Sequence, residues 1–157
     1  MSIVHIHLLL SHVPVVGTLF VLILFAAEML LRETVSTRFA LGFSAALAVV
    51  AVAVYFTGGP AEEAVEKLAG VTERVIEQHE EAAELTTIAM SILGALSLAA
   101  LVIFRGKSMP RWVAVSGVVG TIVLGALMGW TANLGGQIRH SEIRSAFLQQ
   151  GGSESDD

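Results

Sequence analysis

The chain has 157 residues, of which 54% are hydrophobic and only 15% charged, with a net charge of -5 and no cysteine. Soluble domains carry about a quarter charged residues, so this composition points to a membrane protein. Without a basic surplus, nucleic-acid binding has no electrostatic footing. Without cysteine, disulfides, thiolate zinc sites, iron–sulfur clusters and covalent haem attachment are ruled out. Any cofactor must be held by histidine, carboxylate, methionine or backbone.

A helix needs roughly 20 apolar residues to cross a hydrocarbon core of about 30 Å. Four stretches meet that length: 8–31, 39–56, 85–104 and 112–134. The first carries His5, His7 and His12 at its start. Its apolar run is too long for a signal peptide, no positive charge precedes it, and a second span follows at once, so it is expected to remain in the mature protein. Pro14 is expected to leave the Leu10 carbonyl without its helical partner and to bend the chain. If the helix is continuous, His5 and His12 share a face two turns apart and His7 points elsewhere. Glu28 reads as an interfacial carboxylate at the far end of this span.

After the second span, Gly59 and Pro60 read as a helix start and Gly70 as a stop, which predicts a short surface helix over 61–69. Thr72 is placed to cap the next helix. From Glu73 nothing breaks the pattern until near Phe104, giving a rod of about 48 Å at 1.5 Å per residue. Its first turns, 73–84, stand outside the bilayer. There Val75, Ile76, His79, Ala82, Ala83 and Thr86 form an inward stripe at three- and four-residue spacing, while Glu77, Glu80, Glu81 and Glu84 form a solvated acidic face.

The fourth span has Gly117, Thr121, Gly125 and Gly129 at four-residue spacing, and the third has Ser91, Ala95 and Ala99. Small residues let helices approach closely in lipid, either within this bundle or toward a second copy or a larger complex. Trp112 and Trp130 read as interface anchors. Gly135-Gly136 is expected to stop the fourth helix and fold the chain back, bringing Arg139 and His140 to the polar rim. Residues 1–150 then form one all-α domain, an integral membrane four-helix bundle with a helical periplasmic extension between the second and third spans. Residues 151–157 form a polar tail expected to be disordered.

Short loops rich in Lys and Arg stay in the cytoplasm. The first-to-second connection has Arg32 and Arg38, and the third-to-fourth has Arg105, Lys107 and Arg111, against the single acid Glu33. This predicts a multi-pass protein of the inner (cytoplasmic) membrane with both termini periplasmic. All five histidines then fall on the periplasmic side. His12 lies within an apolar run, where an ionisable residue is costly and is a functional candidate by default.

The pattern His-x-His-x4-His-x-Pro-x2-Gly in the first span, Thr-Gly-Gly-Pro-Ala-Glu-Glu after the second, His-Glu-Glu-Ala-Ala before the third and Gly-Gly-Gln-Ile-Arg-His after the fourth resembles an uncharacterised family of four-helix bacterial inner-membrane proteins. The resemblance covers nearly the whole chain. More distantly, the chain resembles the membrane modules found fused to Rieske iron–sulfur domains, which implies redox work near quinone and periplasmic electron carriers.

Three functions compete. In the first, the chain is a b-type cytochrome holding haem b non-covalently with two neutral imidazoles from different helices. It would serve as an electron-transfer subunit between a quinol, or a membrane partner, and a periplasmic carrier. His12, His79 and His140 are the leading ligands, with His7 and His5 behind them. Gly17, Gly58 and Gly59 would make room for the porphyrin, and Arg139, Arg144 or Arg74 would meet its propionates. In the second, His12, His79, His140, Glu63 and Glu80 bind a non-haem metal such as iron, copper or zinc, although neither His-Glu-x-x-His nor Glu-x-x-His is present. The third is a cofactor-free accessory subunit packed against a larger complex. Hydrolytic chemistry has no support, since neither a Gly-x-Ser-x-Gly elbow nor a phosphate-binding loop occurs.

Overall fold

A computed structural model of the chain describes residues 3–31, 34–65 and 73–139. They form four helices, α1 (Ile3–Leu31), α2 (Thr34–Val65), α3 (Glu73–Ile103) and α4 (Arg111–Arg139). Each is long and apolar enough to cross a membrane, and no strand occurs among the described residues. The chain is a multi-pass membrane protein built as an all-α bundle. Each helix touches the next, and α1 closes the ring against α4, so α1 and α3 face each other diagonally.

Close contacts fix the register of this antiparallel ring. His7 meets Thr57, Gly17 meets Leu47, and the rings of Phe20 and Phe43 lie edge to face at 5.2 Å. On the other seams Gly94 meets Ala48, Gly120 meets Leu93, and Gly117 meets Phe25. Where a glycine opposes a side chain this closely, the missing Cβ is what lets the two helices approach. The exposed Trp112 and Trp130 sit at opposite ends of α4, about 27 Å apart at 1.5 Å per residue, close to the hydrocarbon thickness of a bilayer. Below, the loop end is the one with the α3–α4 turn, and the histidine end is the other.

Pro14 lies inside a continuous α1 and is buried, so the loss of one hydrogen bond is tolerated where a neighbouring helix packs over it. Two expected breaks are absent. α2 runs through Gly58, Gly59 and Pro60 to Val65, rather than restarting at 61. Ala61, 6% exposed, fastens that turn to the bundle, and tertiary packing outweighs local propensity. α4 likewise runs through Gly135 and Gly136 to Arg139, with Leu134 buried and the Gln137 amide donating to Asn133 Oδ1 four residues earlier at 2.8 Å. Residues 66–72, with the expected stop at Gly70 and cap at Thr72, lie outside the described residues.

The remaining pattern follows the hydrophobic periodicity. On the extension of α3, Ile76, Ala82 and Thr86 are buried and Val75, His79 and Ala83 half-buried, while Glu77, Glu80, Glu81 and Glu84 are exposed. The α4 stripe divides: Gly117 and Thr121 are buried, whereas Gly125 and Gly129 are exposed with nothing near them. At the loop end Gly106 takes a positive φ of 71°, which glycine adopts without steric cost. Arg38 reaches across from α2 and donates to the carbonyls of Phe104 at 3.0 Å and Lys107 at 2.7 Å. Glu28 departs from its interfacial reading. It is only 8% exposed, because it continues the buried stripe of Thr18, Val21 and Phe25.

Candidate functional site

The buried stripe of α1 repeats every seven residues, and projected back from Glu28, Val21 and Pro14 it reaches His7. His7 is accordingly the half-buried histidine of this helix, while His5 and His12 share its exposed face. Across the ring, His79 projects from the inward stripe of α3. A Cβ on Gly135 would lie 3.0 Å from His79 Cε1, and one on Gly58 would lie 3.6 Å from His7 Cε1. Each imidazole thus lies over a glycine backbone. The helix register puts both at one level, and they are within electrostatic reach of each other.

A hydrogen bond fixes the tautomer of His79. Its Nδ1 lies 3.0 Å from the Thr131 carbonyl oxygen. A carbonyl only accepts, so Nδ1 carries the proton, and in a neutral imidazole Nε2 is then a lone-pair donor. His7 Nδ1 lies 3.1 Å from Thr57 Oγ1, a hydroxyl that also reaches the Val54 carbonyl at 2.8 Å, and the His7 ring itself hydrogen-bonds Val54. Metal-ligating histidines have one nitrogen held by an oxygen in this way.

A hydroxyl network stiffens the α3–α4 side. Thr131 Oγ1 lies 3.1 Å from the Ala82 carbonyl, 3.0 Å from the Leu127 carbonyl and 2.9 Å from Thr86 Oγ1. It thereby ties α4 to α3 at the same residue whose backbone carbonyl receives His79. Ile76, Ala82 and Leu134 are buried around this end and limit water access.

The other sequence candidates are dispersed. His12 is exposed and donates from Nδ1 to the carbonyl of Leu8, one turn back in its own helix. The α1–α4 register set by Phe25 and Gly117 puts it level with Trp130, about a turn from the level of His7 and His79. His5 is exposed at the first turns of α1, and Arg74, Glu63 and Glu80 are exposed as well. Gly17 is filled by Leu47 and leaves no room for a porphyrin. Arg139 is the last residue of α4. His140 and Arg144 lie outside the described residues. Among the described residues, no group of three or more His, Asp or Glu side chains is placed to hold a metal ion.

The chain is a four-helix membrane bundle with two half-buried imidazoles, His7 and His79, at one end. No family model, curated protein or solved structure matches the chain.

Proposed function

We propose that the chain is a membrane-anchored b-type haem protein in which His7 and His79 are the axial ligands. The observation that carries this reading is the pair of half-buried imidazoles at one level on diagonal helices, each held at Nδ1 by an oxygen. Two protein donors suit a haem, which brings four nitrogens of its own. A bare metal ion would need more ligands than the described residues converge on. Haem, when bound, supplies one-electron redox chemistry at a potential set by its surroundings.

The chain's own residues do the positioning. Thr57 and Thr131 hold the two rings at Nδ1, Gly58 and Gly135 give the rings room, and Ile76, Ala82 and Leu134 keep the α3–α4 wall dry. The function is electron transfer between a quinol, or a membrane partner, and a carrier at the histidine end. The basic residues Arg38, Arg105, Lys107 and Arg111 lie at the loop end, which by the positive-inside rule faces the cytoplasm. The histidine end then faces the periplasm of a bacterial inner membrane.

An optical spectrum of the protein purified in mild detergent, reduced minus oxidised, tests the cofactor. A b-type haem gives a sharp alpha band and a strong Soret band, and a colourless preparation would refute the proposal. Orientation is tested separately, because the chain has no cysteine of its own. A membrane-impermeant thiol reagent should label Glu80→Cys in intact cells and Lys107→Cys only after lysis, and the opposite pattern would invert the topology.

A further inference from the structure

The α3–α4 turn carries a cluster of charge that the histidine site does not use. Arg105, Lys107 and Arg111 lie close together in the chain and are all exposed. Their side chains make no hydrogen bond or ion pair with a described residue. Arg32 and Glu33 lie outside the described residues. With those two counted, the sequence sets five cations at the loop end, Arg32, Arg38, Arg105, Lys107 and Arg111, against two acids, Glu28 and Glu33. Positive charge therefore remains there whichever pairs form. It is local, because the whole chain carries -5 and the exposed Glu77, Glu80, Glu81 and Glu84 stand toward the histidine end.

The backbone under this cluster is held. The Lys107 amide donates to the Phe104 carbonyl at 3.1 Å, Arg38 donates to the Phe104 and Lys107 carbonyls, and Gly106 makes the turn with its positive φ. The cations thus project from a fixed frame, which lowers the ordering cost of binding an anion. Apolar surface adjoins them. Val102 and Ile103 in the last turn of α3 and Trp112 in the first turn of α4 are exposed, and the Trp112 ring is braced edge to face against Phe104 at 6.1 Å. A tryptophan so placed sits at the headgroup level of a bilayer, and the short turn keeps the three cations near that level. Lysine and arginine stems lie along apolar surface while their charged heads stay in polar surroundings. Cations beside lipid-facing side chains fit a molecule that carries both a phosphate and hydrocarbon tails, whereas a soluble acidic partner would use the charge alone.

We propose that this turn is a docking site for an anionic phospholipid of the leaflet at the loop end. The headgroup phosphate lies among Arg105, Lys107 and Arg111, where the guanidinium forks match its oxygens, and the acyl chains run along Val102, Ile103 and Trp112. The site is independent of the haem proposal.

The test uses the full chain in a non-ionic detergent, with phosphatidylglycerol or phosphatidylcholine of the same acyl chains added back. Bound lipid is counted by native mass spectrometry, and stability is followed as the melting temperature. Phosphatidylglycerol should be retained and should raise the melting temperature saturably, while phosphatidylcholine should do neither. Lys107→Gln should weaken phosphatidylglycerol binding about fivefold, and Arg105→Gln, Lys107→Gln and Arg111→Gln together about a hundredfold. Glu77→Gln with Glu80→Gln, far from the turn, should leave it unchanged. Equal retention of the two lipids, or full affinity in the triple variant, would overturn the proposal. So would an equal response to glycerol phosphate at the same concentration, which would make the turn a site for free phosphate esters. The comparison of lipids on the native chain needs no variant, so it stands even if the triple variant fails to fold.

Discussion

Gly117→Ala is the sharpest test of the packing that brings the helices into register. A Cβ at this position would lie 2.5 Å from Phe25 Cε1, 2.5 Å from Cζ and 2.7 Å from Cε2. Carbon atoms pack at about 3.5–4.0 Å, so the ring must retreat by about 1 Å. Phe25 is 0% exposed and has nowhere to retreat without displacing its neighbours. Overpacking of this kind costs about 1–3 kcal/mol, against which alanine recovers about 1 kcal/mol of helix propensity over glycine. The expected net loss is about 0–2 kcal/mol against the native chain and about 1–3 kcal/mol against Gly125→Ala, which shares the propensity gain, read as an earlier transition when the bundle is unfolded by titration with a denaturing detergent. Gly125→Ala is the control, because nothing lies within 4 Å of its added methyl, and it should be neutral or stabilising. Phe25→Leu in the Gly117→Ala background should recover part of the loss. If Gly117→Ala is as stable as Gly125→Ala, the α1–α4 register described above is wrong.

Three further outcomes are expected. Thr57→Val removes the oxygen that holds His7 Nδ1 and should weaken haem binding about tenfold to a hundredfold, as loss of a ligand-orienting partner typically does; unchanged affinity in a haem titration would contradict the role given to Thr57. Gly135→Ala places a methyl 3.0 Å from His79 Cε1 and should shift the electron paramagnetic resonance signature of the oxidised haem, whereas Gly136→Ala, with nothing within 4 Å, should not. Arg38→Ala removes both bonds from α2 to the α3–α4 turn and should cost about 1–2 kcal/mol, with faster proteolysis in 104–110; an unchanged cleavage rate would show that the turn holds itself.

The four helices were legible because each is a long apolar run. The inward stripe of α3 followed from three- and four-residue spacing, and it placed His79 correctly. Local propensity predicts helix boundaries at Gly59-Pro60 and at Gly135-Gly136, but buried neighbours such as Ala61 and Leu134 hold the turns in place and the helices run through both. At Gly58 and Gly135 the glycines serve contact with an imidazole instead. The choice of His12 over His7 rested on how deep each lies in the apolar run, and depth does not say which face of a helix is turned inward. The signal that would have separated them is the seven-residue repeat His7, Pro14, Val21, Glu28. The same repeat marks Glu28 as buried. Thr57 and Thr131 could not be singled out, because their roles depend on inter-helix hydrogen bonds with no trace in spacing.

The central claim is that His7 and His79 hold a haem and His12 does not. Haem per chain, measured from the reduced-minus-oxidised spectrum of the purified native protein and of His7→Ala, His79→Ala and His12→Ala, tests it most directly. The native protein and His12→Ala should carry haem at equal occupancy, while His7→Ala and His79→Ala should lose it and still insert in the membrane. Haem retained in full by both His7→Ala and His79→Ala, or lost in His12→Ala alone, would contradict the assignment.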